Sequence, residues 1–408
     1  MDPRISATIA GVLMLLGTIS FAYNSEIDSW VRDNSIVIED DEVNTLGLQT
    51  EEHWPVFIVD FEGGNSNWGK SEAEDILIPE ASNYFEQFTN YNSNVQIDII
   101  DKITIPEFGM EYYGKDYGIQ RDSSSDGTHL PMILAKEVVQ DQMNNVDWGK
   151  YDLNDDGWVD RLLILHTSIG QEEGGNSNRI WSHFTTFDDV LDLPNDIKAG
   201  HYTMASLGTG DSGFGTIIHE MLHQMGAYDL YPAHGSVNQY SWKGVGDWDI
   251  MANGNWNGGG KWPAIPSAST VAEIGGSSHI EVNMNWLDSF DGMCQGPSYV
   301  LEPISKGGNS LKIEISESEF IWIEYRDNFG YDSYLPGSGV LVTYQDLTTG
   351  DFDSNELNVN PDRPYLSVIE ADGNNALKTG SNDGESGDVF SNNSSFGSSE
   401  IIVRDHDG

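Results

Sequence analysis

The sequence predicts a mixed α/β domain of the α+β type, built around one histidine-bearing helix and followed by a β-rich carboxyl-terminal lobe. Three observations lead to this prediction. Apolar, strand-like runs alternate with helical patterns through residues 53–296. Two histidines spaced four residues apart lie in one of these helical patterns, and strand-like runs separated by turns dominate residues 297–390. A chain of 408 residues with 38% hydrophobic content can bury cores of this size.

The amino-terminal half supplies strands and helices in turn. Residues 54–61 form an apolar, β-rich run closed by a glycine pair, which predicts a buried strand. A proline divides the next helical pattern, so we expect the helix over residues 79–88. Alternation over residues 95–105 predicts a second strand. We expect a longer helix over residues 129–143 and a third, buried strand over residues 161–166.

The carboxyl-terminal part has the composition of a β-rich lobe that ends in a polar tail. Its apolar runs predict strands at residues 299–302, 310–315, 320–325 and 339–344. Residues 391–408 are rich in Gly, Ser, Asn and Asp, which is typical of linker-like chain.

The histidine-bearing helix carries the most informative motif. His219 and His223 are four residues apart, so they fall on one face of an α-helix. Glu220, which follows His219, projects beside them. Thr216 can cap the start of this helix, and Gly226 can end it by adopting a positive φ. Two imidazoles held in this way can bind one zinc ion, which predicts a zincin-like catalytic domain with an active-site helix.

A zinc ion held by three protein groups keeps a position for water, and Glu220 is placed to act as the general base. We expect Asp229 to be the third ligand, because the turn at the helix-ending glycine brings it back toward the histidines. The alternative is that His234 or a distant carboxylate completes the site while Asp229 supports one of the ligands. Met251, in a tight turn further on, is a candidate for the floor beneath the metal.

A second metal-binding pattern precedes the third predicted strand. Oxygen-bearing side chains at Asp152, Asn154, Asp156 and Asp160 surround a glycine turn, as in the first nine positions of a calcium-binding loop. Leu163 occupies the position where the bidentate carboxylate is expected. Calcium therefore requires another carboxylate, such as Glu172 or Glu173, and the alternative is a metal-free turn stabilised by Asx side chains. A looser acidic loop at residues 351–362 is a weaker calcium candidate.

The charge balance limits the class of partner. The chain has 66 Asp and Glu against 19 Lys and Arg, a formal net charge of −47. Such a surface repels nucleic acid and anionic membranes, so we expect no nucleic-acid partner. It suits a saline or calcium-containing exterior. The oligomeric state is not predicted.

The amino terminus predicts export. A basic residue precedes an uncharged, largely apolar segment, and small residues follow near position 22, so residues 1–22 are expected to be a signal peptide or a membrane anchor. We expect a secreted, extracellular protein. The alternative is anchoring on the outer face of the cell membrane through residues 5–22. Residues 23–52 are acidic and are either an activation segment or a solvated linker.

Taken together, these segments resemble the immune inhibitor A family of secreted metallopeptidases, which is related to the metzincins. The resemblance covers most of residues 53–390 and includes the strand ending at Phe61, the loop at 151–160, the zinc segment at 219–231 and the turn at 248–251. It implies a catalytic domain with a cleft between two subdomains, and protein or peptide substrates. It further implies zinc on His219, His223 and Asp229, with Glu220 as base and Met251 below the metal.

Two other functional classes share parts of this pattern. A catalytically silent relative would serve as a calcium-dependent binding or adhesion module, although the intact Glu220 argues against it. A zinc hydrolase of glycans or esters could use the same metal chemistry on a non-peptide substrate.

Overall fold

The computed structural model of the chain describes residues 45–61, 67–233, 242–276, 279–283 and 297–391. The predicted export segment, most of the acidic leader, His234 and residues 392–408 lie outside this part. Described residues from Thr45 onward belong to one compact unit. Within them, no helix combines the length and the apolar character needed to cross a bilayer.

Ten strands and seven α-helices are assigned in the described residues. The strands are β1 (Glu51–Val59), β2 (Asn94–Ile99), β3 (Leu163–His166), β4 (His183–Asp192), β5 (Lys198–Ser206), β6 (His279–Glu281), β7 (Ser310–Glu314), β8 (Glu319–Arg326), β9 (Gly339–Asp346) and β10 (Leu366–Val368). The α-helices are α1 (Asn67–Leu77), α2 (Glu80–Thr89), α3 (Met110–Tyr113), α4 (Leu130–Gln142), α5 (Phe214–His223), α6 (Ala268–Glu273) and α7 (Ala376–Thr379). Short 3-10 helices connect them at Trp148–Tyr151, Pro194–Asp196, Gly210–Gly213, Gly246–Trp248, Asn253–Gly260, Ile304–Lys306 and Gly330–Tyr334.

The first sheet has five strands in the order β2-β1-β3-β5-β4. Strands β2, β1, β3 and β5 run parallel, whereas β4 pairs antiparallel with β5 at one edge. Helices α1 and α2 connect β1 to β2, and the connection from β3 to β5 is much longer than a hairpin loop. Parallel pairing requires such long connections. The sheet therefore presents one antiparallel edge strand beside three parallel pairs.

Both faces of the first sheet are covered, which explains why residues 54–59 of β1 are all apolar. Trp54, Val56 and Ile58 point into a core shared with α1, α2 and α5. Phe57 and Val59 point to the opposite face, where they pack with residues of α4. The histidine-bearing helix α5 is thus buried against one face of the sheet.

The second sheet has five strands in the order β10-β9-β8-β7-β6. Its strands pair antiparallel except β6, which runs parallel to β7. Because β6 precedes residue 297, the predicted boundary between the catalytic domain and the β-rich lobe does not separate the two sheets. The described residues confirm the α+β class and a β-rich carboxyl-terminal sheet.

Three local predictions were wrong in instructive ways. Residues 299–302 form no strand, and Val300 is 92% exposed, because no described strand pairs with them. Helix α1 was not predicted. Pro79 lies between α1 and α2, and the sequence analysis placed the helix only after this proline. Strand β1 covers Glu51–Val59, whereas the predicted strand covered residues 54–61, and the buried carboxylate of Glu52 pairs with Arg161 at 2.7 Å in the added part.

Candidate metal centre

The histidine-bearing helix α5 has functionally important glycines near both ends, Gly215 and Gly226. It begins at Phe214, so Thr216 lies inside the helix and does not cap it, contrary to the prediction. An added Cβ at Gly215 would lie 2.0 Å from the carbonyl oxygen of Asn255, so only glycine permits this close approach of the backbone. After the helix, Gly226 adopts a φ of 96°, as predicted, and the chain turns back.

This turn brings three ligand atoms together. The Nε2 atoms of His219 and His223 are 3.2 Å apart. Oδ1 of Asp229 lies 3.1 Å from the first and 3.4 Å from the second. All three side chains are buried. Within the described residues, they are one of two groups of at least three potential metal ligands with atoms inside 4.8 Å of one another.

The hydrogen bonds of the imidazoles orient their lone pairs toward this point. Nδ1 of His219 contacts the carbonyl oxygen of Ile250 at 2.8 Å, and Nδ1 of His223 contacts that of Ala227 at 2.7 Å. A carbonyl only accepts, so each Nδ1 donates and each neutral ring keeps its Nε2 lone pair for another partner. The carbonyls therefore fix the tautomer that a metal ligand needs.

The geometry fits a tetrahedral zinc site. For metal–ligand distances near 2.05 Å, the ligand atoms of a tetrahedron lie about 3.3 Å apart. The three observed separations fall close to this value. Oδ1 of Asp229 is buried and has no hydrogen-bond partner in the described part of the chain, as expected of an atom whose partner is a metal.

The charges of the three groups are interdependent. Burial tends to raise the pKa of Asp229, but the two neighbouring imidazoles outweigh it and hold that pKa well below its usual range. For His223, burial tends to lower the pKa, and the opposing carboxylate of Asp229 raises it. The site therefore favours an ionised carboxylate, which is the form that binds metal.

Asn355 holds Asp229 in place, and sequence reasoning did not find it. Its Nδ2 donates to Oδ2 of Asp229 at 2.7 Å, and its Oδ1 accepts the backbone N–H of Asp229 at 2.8 Å. This leaves Oδ1 of Asp229 directed at the histidines. The acidic loop at 351–362 that contains Asn355 attracted notice only for its carboxylates.

Glu220 lies beside the ligands in the same helix. It is 6% exposed, and burial raises its pKa to about 8. His219 and a hydrogen bond from the backbone of Phe184, in the edge strand β4, act in the opposite direction and favour the charged form. The carboxyl group is therefore close both to the ligand cluster and to the edge strand β4.

Met251 lies in a turn that contacts both the helix and the ligand loop. The backbone N–H of Met251 donates to Oδ1 of Asp249, and its carbonyl accepts the N–H of Leu230. The preceding residue, Ile250, supplies the carbonyl that orients His219. The fully buried Met251 side chain belongs to the core that includes α5. A role as the hydrophobic floor of the metal site remains a prediction.

The loop at residues 152–160 does not gather its carboxylates in the same way. Asp152 accepts the backbone N–H groups of Asp156 and Gly157, and Asp160 accepts that of Leu153. Asn154 donates to Asp156 within the loop. Among the described residues, the carboxylates of this loop do not form a group with ligand atoms inside 4.8 Å. Glu172, the suggested closing ligand, instead accepts the hydroxyl of Ser182.

The chain is similar to a known family of metallopeptidases. Residues 50–274 match the family described as the immune inhibitor A peptidase M6 catalytic domain. The pre-pro-metalloprotease PrtV of Vibrio cholerae is 28% identical over 221 residues, covering 44% of this chain and 22% of that protein. Immune inhibitor A of Bacillus thuringiensis subsp. alesti is 25% identical over 330 residues, covering 71% of this chain and 46% of that protein.

The match to each relative thus spans less than half of the relative's length. The family match covers more than half of the present chain and includes the helix with both histidines, Glu220 and Asp229. The chain therefore belongs to the immune inhibitor A peptidase family M6.

Proposed function

We propose that this protein is a secreted, zinc-dependent endopeptidase in which Glu220 is the general base. One observation carries the proposal: three buried ligand atoms of His219, His223 and Asp229 converge at tetrahedral spacing with a buried carboxyl group beside them. Two imidazoles and one carboxylate are a common ligand set of catalytic zinc.

A bound zinc ion would polarise the scissile carbonyl and lower the pKa of water to about 7. The residues of the chain perform the proton transfers. Glu220 takes a proton from the attacking water as the new carbon–oxygen bond forms. It then passes this proton to the amide nitrogen as the carbon–nitrogen bond breaks, so that the amine leaves neutral. A partly desolvated carboxyl with a raised pKa suits both steps.

The edge strand β4 supports a peptide as the substrate. In the described residues β4 pairs with β5 on one side and forms the edge of the first sheet. An extended peptide can add to such an edge through main-chain hydrogen bonds. Because the backbone of Phe184 in β4 interacts with Glu220, a peptide bound there would pass close to the base. Glycans and simple esters have no comparable ladder of amide groups.

The extracellular location rests on the sequence of residues 1–22 and on the acidic surface, with anchoring through residues 5–22 as the alternative. Calcium at Asp152, Asn154, Asp156 and Asp160 also remains a prediction from sequence. The spacing of the oxygen atoms supports it, whereas the hydrogen bonds within the loop satisfy the same atoms without a cation.

The test is Glu220→Gln, which keeps the shape of the side chain but cannot accept a proton. We expect cleavage of casein and of a quenched peptide to fall by at least about 100-fold while zinc content is unchanged. Glu111→Gln, the same amide replacement at an exposed position outside the candidate metal sites, should leave both quantities unaltered. Substantial proteolysis by Glu220→Gln would contradict the assigned base. Esterase activity without peptide cleavage in the wild type would favour the non-peptide hydrolase.

A further inference from the structure

A second cluster of carboxylates lies about 150 residues beyond the zinc helix, in the segment that follows β10. Glu370, Asp372 and Asp388 bring one ligand atom each within 4.8 Å of one another. It is the other of the two potential ligand groups in the described residues. Glu370 and Asp388 are buried, and Asp372 is exposed. The oxygens of Glu370 accept the backbone N–H groups of Ala376 and Leu377, and those of Asp372 accept hydrogen bonds from Asn374. The vacant acceptor of this group is therefore on Asp388.

One oxygen in this cluster is buried without a partner. Asp388 is 0% exposed, and its Oδ2 accepts the indole N–H of Trp248 at 2.8 Å and the backbone N–H of Glu385 at 2.9 Å. Its Oδ1 has no hydrogen-bond partner in the described part of the molecule. A buried carboxylate oxygen left unpaired is costly unless a cation or a proton satisfies it.

The nearby basic side chains are engaged elsewhere. Lys243 pairs with Asp383 at 2.9 Å, and Lys378 pairs with Asp362 at 2.8 Å. Among the ion pairs of the described residues, none involves Glu370, Asp372 or Asp388. Burial raises the pKa values of Glu370 and Asp388; hydrogen bonds from backbone N–H groups and from Trp248 oppose this rise, and the repulsion of neighbouring carboxylates adds to it. The cluster thus concentrates negative charge that no side-chain cation balances.

We propose that Glu370, Asp372 and Asp388 bind one divalent cation, and that this cation is calcium. Hard oxygen ligands in a flexible arrangement are the ligands that calcium prefers, and calcium–oxygen distances of 2.3–2.6 Å place ligand atoms up to about 5 Å apart. The absence of nitrogen and sulfur ligands from the group argues against zinc. The assignment does not depend on the proposed peptidase activity.

The bound cation would stabilise the packing of residues 370–388 against residues 243–248, which precede the Met251 turn. Besides the bond from Asp388 to Trp248, the N–H of Asp247 donates to the carbonyl of Asp383 at 2.7 Å. The N–H of Lys243 donates to the carbonyl of Leu377 at 3.1 Å. Residues 370–388 and 243–248 thus form one layer, and the cation would neutralise the charge buried within it.

The test uses the zinc-loaded protein in buffer freed of calcium by a chelating resin, with zinc content checked before and after. Calcium binding is measured by isothermal titration calorimetry. Terbium, a luminescent substitute for calcium, is titrated with excitation of tryptophan, because the indole of Trp248 adjoins Asp388. The variant is Asp372→Asn, at an exposed ligand whose change should not prevent folding. The controls are Asp383→Asn, a partly exposed neighbour outside the cluster, and Asp156→Asn in the loop at 152–160.

We expect the wild type and Asp383→Asn to bind calcium, to show sensitised terbium emission and to melt at a higher temperature with calcium. Asp372→Asn should bind at least tenfold more weakly and should lose most of the calcium-dependent shift in melting temperature. Asp156→Asn should retain this binding. The proposal is overturned if the wild type binds no calcium up to millimolar concentration, or if Asp372→Asn binds as the wild type does. It is also overturned if binding is lost in Asp156→Asn and kept in Asp372→Asn.

Discussion

The zinc segment and the loop at 152–160 both carry metal-ligand spacing, yet their side chains are used differently. In the zinc segment, backbone carbonyls take the Nδ1 hydrogens of His219 and His223, and Oδ1 of Asp229 stays without a hydrogen-bond donor among the described residues. In the loop, Asp152 and Asp160 already accept backbone N–H groups. In the zinc segment a carboxylate oxygen still lacks a partner, which a cation would supply. In the loop, the oxygens of Asp152 and Asp160 already accept hydrogen bonds from the turn itself.

This comparison shows what spacing alone can establish. Ligand spacing along a helix fixes the relative positions of two side chains, because the helix is rigid. Alternating Asp and Asn residues in a loop suit a calcium site and an Asx-stabilised turn equally well, because both require oxygen atoms directed at the loop centre. The backbone conformation determines whether these oxygen atoms accept backbone N–H groups or are available to a cation.

The largest expected effect separates these two regions directly. His223→Ala should reduce bound zinc from about one per chain to near zero and abolish proteolysis, because two ligands rarely retain a catalytic zinc. Asp152→Ala, in the loop, should leave zinc content unchanged. Elemental analysis of both purified variants is the measurement. Loss of zinc from the loop variant, or its retention by His223→Ala, would reverse the assignment.

A second change tests the connection between the two regions. Arg161 follows the loop directly, pairs with Glu52, and donates to the carbonyl of Gln224 just beyond the zinc helix. Glu52→Ala leaves the fully buried guanidinium unpaired, so we expect the free energy of unfolding to fall by about 3–5 kcal/mol. Chemical denaturation measures this loss.

The matched control for that change is an exposed pair. Lys243→Ala removes the partner of Asp383, and both side chains are about 40% exposed. Its cost should stay below about 1 kcal/mol. Equal losses in the two variants would mean that Glu52 and Arg161 contribute no more than a surface pair.

A third prediction concerns the residue that keeps Oδ1 of Asp229 directed at the histidines. Asn355 has a φ of 55°, so glycine can replace it without backbone strain. Asn355→Gly should lower zinc affinity by about 10- to 100-fold, as loss of a ligand-orienting partner usually does. Competition with a chromogenic chelator gives the affinity. Asp353→Asn, in the same loop, is the control, and equal affinities in both variants would contradict the role of Asn355.

A fourth prediction concerns the pH dependence of stability and a second buried carboxyl group, that of Asp122. Oδ1 of Asp122 also lacks a hydrogen-bond partner among the described residues. Burial raises its pKa to about 7, opposed by the backbone N–H of Trp181 and by Arg121, and reinforced by Asp116 and Glu172. The neutral form is therefore favoured in the folded state.

Because the folded pKa of Asp122 exceeds the unfolded value of 3.8, its stabilising contribution is present below about pH 4 and is lost as the pH rises toward 7. Asp122→Asn should remove this loss, so the stability of the variant relative to the wild type should increase between pH 4 and pH 7. Denaturation at several pH values tests this. A difference that does not vary with pH would show that folding does not raise the pKa of Asp122.

Local patterns were sufficient to predict β1, β3, α4, α5 and the turn at Gly226, because apolar periodicity and glycine conformations act over a few residues. They also brought Asp229 into the candidate site. They could not find Asn355 or the group formed by Glu370, Asp372 and Asp388, since these contacts depend on how distant loops pack. The same limit explains why the acidic loop at 351–362 was considered for calcium and not as support for a zinc ligand.

The position of Asn355 has a consequence for the order of events during synthesis. Asn355 is 126 residues downstream of Asp229, so an incomplete chain still emerging from the ribosome can present both imidazoles before its carboxylate ligand is braced. Full affinity for the metal would then come only after the later part of the chain has been made and has folded against the first sheet. Maturation of the centre is in this way tied to completion of the polypeptide.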